Sequence, residues 1–205
     1  MAYVLGFFTA DGCMIKNKRG GHFIEFHITD KDILEKIKAL LNSDNKISKR
    51  ERNIRWKTAY RLQLGSKKIF DDLLLLGMTP KKSKNVEMPQ VPNKYFCHFV
   101  RGYFDGDGNV YANAYRRAGR TGKSSITLLS GFTSGSKVFL EELHKRLKLQ
   151  ANISGGTLHN RSGAWRLYYS VKDSCKLYAF MYNTEGSLFL ARKKAIFEKY
   201  FEKRR

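Results

Sequence analysis

The chain has 205 residues, with 39 Lys and Arg against 18 Asp and Glu, a formal charge of +21 at pH 7. Its composition, 42% hydrophobic and 13% aromatic, is enough to bury a core, which excludes a disordered basic tail. Three cysteines (Cys13, Cys97, Cys175) far apart in sequence, with no C-x-x-C pair and only five His, argue against a disulfide framework and against a structural zinc site.

In chain order, a first helix is expected to stop at Gly12. After a turn, Ile24, Phe26 and Ile28 alternate with Glu25 and His27, the period of a half-buried strand. Thr29 or Asp30 can cap a helix from Lys31 to Leu41, whose Ile33, Leu34, Ile37, Leu40 and Leu41 form one apolar stripe. A strand is expected over Arg55 to Leu64. It puts Trp56, Tyr60, Leu62 and Leu64 on one face and Arg55, Lys57, Arg61 and Gln63 on the other. A helix over Phe70 to Leu76 follows, and the prolines of NVEMPQVPN (Pro89, Pro92) mark a linker.

Beyond that linker the order begins again. YVLGFFTADG (3–12) recurs as FVRGYFDGDG (99–108) at an offset of 96, and ILEKIKALL (33–41) answers FLEELHKRL (139–147) at 106. IRWKTAYRL (54–62) is matched with GAWRLYYSV (163–171) at 109, pairing Trp56 with Trp165, Tyr60 with Tyr169 and Leu62 with Val171. The longer loop of the second copy, ANAYRRAGRTGKSS (112–125), accounts for the rising offset.

Charge and repeat together point to a long polyanion. Residues 1–96 carry 19 Lys and Arg against 10 acids, and residues 97–205 carry 20 against 8, so two similar basic modules can grip one nucleic acid. Over residues 46–61 seven basic residues face the single acid Glu51. A sheet apolar on one face and rich in Arg, Lys, Gln, His and Tyr on the other can back onto helices and lay that polar face in a major groove. No run approaches the ~18 apolar residues of a membrane span, and MAYVLGFFTADG lacks the basic n-region of a signal peptide, so an intracellular protein working with DNA and without a membrane is expected.

The repeated decapeptide carries the chemistry. Gly6 and Ala10, and likewise Gly102 and Gly106, stand at i and i+4, giving each helix a flat strip along which the two backbones can approach. Asp11 and Asp107 then fall in the last helical turns, where the helix dipole is already negative. Two such ends side by side make sense with a hard divalent cation between the carboxylates. DGDGN (105–109) also imitates a calcium loop, but its sixth position is Val110 and its twelfth Arg116, where that loop needs Gly and Glu.

VLGFFTADG (4–12) and VRGYFDGDG (100–108) resemble the paired signature motifs of single-chain LAGLIDADG homing endonucleases. The resemblance implies an α+β fold, a pseudo-symmetric duplication of αββαββα with two saddle-shaped antiparallel sheets. The division would be an N-terminal repeat 1–84, a linker 85–96 and a C-terminal repeat 97–205. It implies a monomeric, metal-dependent nuclease that hydrolyses both strands of a long, asymmetric DNA target. Asp11 and Asp107 would bind the metals beside Ala10 and Gly106, with Mg²⁺ or Mn²⁺ as cofactor and Ca²⁺ occupying the sites without supporting cleavage. Thr9 departs from the motif, whose acid at that place is kept in the second copy as Asp105.

By the same resemblance a basic residue serves each scissile phosphate. Lys82 and Lys193 match, with Lys81, Lys84, Arg192 and Lys194 as neighbouring alternatives. Asp30 and Ser134 stand where many relatives carry Gln. The DNA-facing set would be Lys16, Lys18, Glu25, His27, Lys46, Lys49, Arg50, Arg52, Arg55, Lys57, Arg61 and Gln63 in the first repeat. In the second it would be Tyr111, Asn113, Tyr115, Arg117, Arg120, Lys123, Arg161, Arg166, Tyr168 and Ser170. The alternative in the same fold is an RNA-splicing maturase acting on a host intron RNA, or a DNA-binding protein. Both motif acids remain, which favours the nuclease.

Overall fold

The computed structural model describes residues 1–50, 58–80, 85–116, 124–184 and 188–204, with the side chains of residues 115, 116, 124 and 125 excepted. The first half runs α1 (Ala2–Asp11), β1 (Gly12–Lys16), β2 (His22–Ile28), α2 (Lys31–Leu40), β3 (Ile47–Arg50), β4 (Ala59–Gly65) and α3 (Lys67–Leu75). The second repeats that order as α4 (Asn93–Asp107), β5 (Gly108–Arg116), β6 (Ser124–Ser134), α5 (Lys137–Gln150), β7 (Thr157–Arg161), β8 (Ala164–Tyr169) and α6 (Val171–Tyr182). A further helix, α7 (Ala191–Glu202), goes beyond the duplicated αββαββα pattern. Residues 93–96, read from the sequence as the end of the linker, are the first turn of α4.

Each half holds one four-stranded antiparallel sheet, ordered β1-β2-β4-β3 and β5-β6-β8-β7. Strand alternation sets what each sheet does: Met14, Ile24, Phe26, Leu62 and Leu64 bury against helices in the first, as do Val110, Leu128, Phe132, Leu167 and Tyr169 in the second. The buried side chains of both halves form one continuous cluster, joined through α1 and α4. That junction depends on glycine. A Cβ on Gly6 would lie 2.0 Å from the Phe99 carbonyl oxygen, and one on Gly102 would lie 2.1 Å from the Tyr3 carbonyl oxygen. The small-residue strips therefore bring the helix backbones together as their spacing predicts.

The register corrects one alignment. Phe26 and Phe132 are equivalent, at the expected offset of 106, and Leu62 opposite Phe26 corresponds to Leu167 opposite Phe132, an offset of 105. The expected 109 is thus wrong: Tyr60 corresponds to Trp165 and Leu62 to Leu167, while Val171 already belongs to α6. Asp30 is the N-cap residue of α2, yet its carboxylate does not cap. It accepts from Arg192 Nε at 3.0 Å instead, tying the two halves together across the surface.

Candidate catalytic centre and nucleic-acid interface

The two motif helices end at their aspartates because Gly12 and Gly108 turn the chain into extended backbone and start β1 and β5. Their ends adjoin. A Cβ on Gly106 would lie 2.4 Å from Ala10 Cβ and 3.1 Å from Asp11 Oδ2, so the Asp11 carboxylate reaches the last turn of α4. Tyr103, 1% exposed and packed against Phe132 and Phe139, donates its hydroxyl to the Thr133 carbonyl at 2.8 Å. Burial first, and then the negative charge of Asp107 and of Asp11, hold that phenol well above its ordinary pKa. One buried hydroxyl thus feels both acids.

This donor set fits a hard cation that keeps solvent or phosphate ligands. It offers two carboxylates and the carbonyl ends of two helices, and no cluster of three or more His, Cys, Asp or Glu exists among the described residues. A closed, all-protein site is not what these residues build.

Lys193 lies beneath α4, 6% exposed, on a helix the repeat pattern does not contain. Its Nζ donates to the carbonyls of Phe104 (2.7 Å), Asp105 (2.8 Å), Gly106 (3.1 Å) and Gly108 (2.6 Å). The ammonium therefore caps the C-terminal turn that carries Asp107, where a positive charge also offsets the helix dipole. Burial pushes its pKa down to about 8, opposed chiefly by Asp105 and assisted by Arg192. Asp105 answers from α4: its Oδ2 accepts from Leu190 N at 2.8 Å, at the start of α7, and from Tyr3 Oη at 2.7 Å. Oδ1 is buried with no hydrogen-bond partner among the described residues, and burial pushes this acid up to about 6 against the Tyr3 and Leu190 bonds. Thr9, in the corresponding place on α1, donates to the Leu5 carbonyl at 2.8 Å, with the Met78 sulfur 3.7 Å away. Tyr103, and the exchange between Asp105 and Lys193, escape sequence reading because they need the third dimension. The apolar spacing of Phe197 and Tyr200 was the available signal for α7.

On the sheets, register sorts the DNA-facing candidates. Glu25, His27, Arg61, Gln63 and Arg50 share the first sheet's face away from the helices, together with Cys13 and Ser48. Lys16 and Lys49 do not share it: they pair with His22 and Tyr60 on the helix-side parity, so neither is a strand-face reader. Lys18 and Lys46 are exposed outside the strands. In the second sheet Tyr111, Asn113, Arg161, Arg166 and Tyr168 all fall on one face, while the side chain of Tyr115 lies outside the described residues. Ser170, expected on a strand, is the N-cap residue of α6. His159, which the sequence reading missed, lies on that face with its ring stacked on Tyr168 at 5.7 Å. Arg52, Arg55, Trp56, Lys57, Lys81, Lys82, Lys84, Arg117, Arg120 and Lys123 lie outside the described residues.

A LAGLIDADG-like domain matches residues 1–76. Along 98% of its length the chain superposes on the LAGLIDADG meganuclease I-AabMI bound to uncleaved DNA (TM-score 0.66, 15% identity, 88% of that chain). It superposes as fully on I-SmaMI bound to uncleavable DNA (TM-score 0.67, 12% identity, 88% of that chain) and on the I-LtrWI homing endonuclease bound to target DNA (TM-score 0.66, 13% identity, 88% of that chain). The duplicated fold is therefore that of LAGLIDADG homing endonucleases. Two proteins of Methanocaldococcus jannaschii are also similar in sequence. One is the DNA-directed RNA polymerase subunit Rpo1C, 29% identical over 131 residues, 63% of this chain; the chain spans only 14% of that subunit's length. The other is the uncharacterized protein MJ0398, 22% identical over 98% of this chain and 71% of that protein.

Proposed function

We propose that this chain, with a LAGLIDADG-like domain at residues 1–76 and the LAGLIDADG homing-endonuclease fold throughout, is a monomeric site-specific nuclease that hydrolyses both strands of a long, asymmetric DNA duplex. The observation that carries this is the meeting of Asp11 with the last turn of α4, beside Asp107, at the junction of two sheets with polar outer faces. The similar I-AabMI, I-SmaMI and I-LtrWI are described bound to DNA, I-SmaMI also in the presence of calcium ions, which supports duplex DNA as the partner and divalent metal use.

Asp11 and Asp107, with the Ala10 and Gly106 carbonyls, would hold divalent cations of the Mg²⁺ or Mn²⁺ kind. Bound there, such a cation polarises the scissile phosphate and lowers the pKa of a water. The chain's own part is orientation. Lys193 fixes the turn that bears Asp107, and Tyr103 keeps its proton as a neutral donor to the Thr133 carbonyl. The two sheet faces align the duplex so that each strand crosses one acid. They differ in sequence, so the target is asymmetric.

The test is selection of cleavable sites from a random duplex library with Mg²⁺. Recovery of one long, non-palindromic site, lost on adding EDTA, is the expected result. No cleavage of any sequence with Mg²⁺ or Mn²⁺, or cleavage indifferent to EDTA, overturns the reading.

A further inference from the structure

Glu25 is out of place electrostatically. It is an acid in the middle of the polar face of a protein of charge +21, and it is only 5% exposed. Strand pairing explains its company: Cys13 stands opposite on β1 and Gln63 opposite on β4, with His27 and Arg61 forming the next pair. Its Oε1 accepts from Gln63 Nε2 at 2.5 Å and from Arg61 Nη1 at 3.4 Å, and its Oε2 meets His27 Nε2 at 2.9 Å. Arg61 is held from a second side, where its Nε donates to Ser48 Oγ at 3.3 Å.

A long Arg or Gln side chain on a strand has many rotamers, and freezing them costs entropy when a base is bound. Here that cost is met within the fold. Glu25 takes one donor from each reader, and the remaining guanidinium and amide donors are fixed in direction. The second sheet supplies the contrast. Gly131 takes the place of Glu25 and Tyr168 the place of Gln63, and a Cβ on Gly131 would lie 2.7 Å from the Tyr168 ring. Arg166, equivalent to Arg61, keeps a buried Nε with no hydrogen-bond partner among the described residues.

We infer that Glu25 is a positioning residue that sets the base preference of the first sheet by holding Arg61 and Gln63 in one orientation. The inference rests on the duplex-binding reading above. Glu25 itself reads no base, because its oxygens are taken by protein donors; its exclusion of phosphate from the centre of the face keeps that face for base edges.

The experiment profiles binding, in Ca²⁺, to all single-base variants of the selected duplex. Arg61→Ala and Gln63→Ala first locate the base pairs those side chains read. Glu25→Gln keeps the size of the side chain and removes its charge. It should lower discrimination about tenfold at those same base pairs, with affinity for the best site changed less and thermal stability near wild type. Combining Glu25→Gln with Arg61→Ala should cause no further loss at the base pair read by Arg61. Should Glu25→Gln not fold, Glu25→Thr, a good strand former, is read in the same way. An unchanged profile at those base pairs, or a loss at base pairs that neither Arg61 nor Gln63 reads, overturns the inference. Site-specific binding by the wild type would then still stand. Absence of any specific binding by the wild type defeats the duplex reading and this inference with it.

Discussion

Gly6 and Gly102 occupy matching surroundings, each with its missing Cβ about 2 Å from a carbonyl of the other helix, whereas Glu25 and Gly131, just as equivalent by register, sit in opposite chemistry. Where the halves touch, backbone must meet backbone, and any side chain would separate them, so both copies keep glycine. Away from that seam nothing forces the copies to agree. One motif keeps an acid, Asp105, that anchors α7, while the other has Thr9 turned onto its own helix. One sheet face carries a carboxylate with three donors around it; the other carries stacked rings and an arginine whose Nε has no hydrogen-bond partner among the described residues. The fold is thus symmetric where geometry constrains it and asymmetric on the polar sheet faces, as the proposed asymmetric target would require.

The largest expected effects test the symmetric part. Gly6→Ala and Gly102→Ala should each destabilise by about 3 kcal/mol or more, the upper end of overpacking, because the obstructing atoms are backbone. Their double variant should fall short of the sum, since one helix separation relieves both clashes. Gly65→Ala, whose Cβ would meet only the Phe23 ring at 3.4 Å, should cost less than about 1 kcal/mol. Urea midpoints measure all four. A strong inequality between Gly6→Ala and Gly102→Ala would break the symmetry of the seam.

A smaller effect tests the asymmetric part through pH. Asp105 has its folded pKa raised to about 6 from 3.8, so between those values the native state holds more protons than the unfolded chain and stability falls as pH rises. Asp105→Asn removes this dependence. Relative to wild type, the variant should therefore gain up to about 3 kcal/mol between pH 3.5 and pH 7.5, by the linkage of a two-unit shift. Thr9→Asn, with no acid to replace, should show no such trend. A stability difference between Asp105→Asn and wild type that does not change with pH would remove the buried-acid account.

Much of this was legible in the sequence because it is one-dimensional. The motif pair, the glycine spacing and the period of two on each sheet need only local order. The alignment of 54–62 with 163–171 failed because Trp56 and Trp165 are conspicuous and not equivalent, yet the four-residue slip is even, so it preserved which residues share a face. Lys16 and Lys49 fall on the helix-side parity at strand ends, a placement that suits phosphate contact better than base reading. Lys193 illustrates the limit. The resemblance offers it only as a basic residue for a scissile phosphate, whereas its bonds to the carbonyls of α4 depend on how α7 packs.

The most direct measurement uses the selected duplex labelled on both strands, with Mg²⁺, and compares wild type, Asp11→Asn and Asp107→Asn for double-strand cleavage and, separately, for binding. The account predicts that neither variant makes double-strand breaks while both bind the site nearly as well as wild type, because the two acids at the adjoining helix ends act as one centre. Wild-type double-strand cleavage by either variant would contradict it.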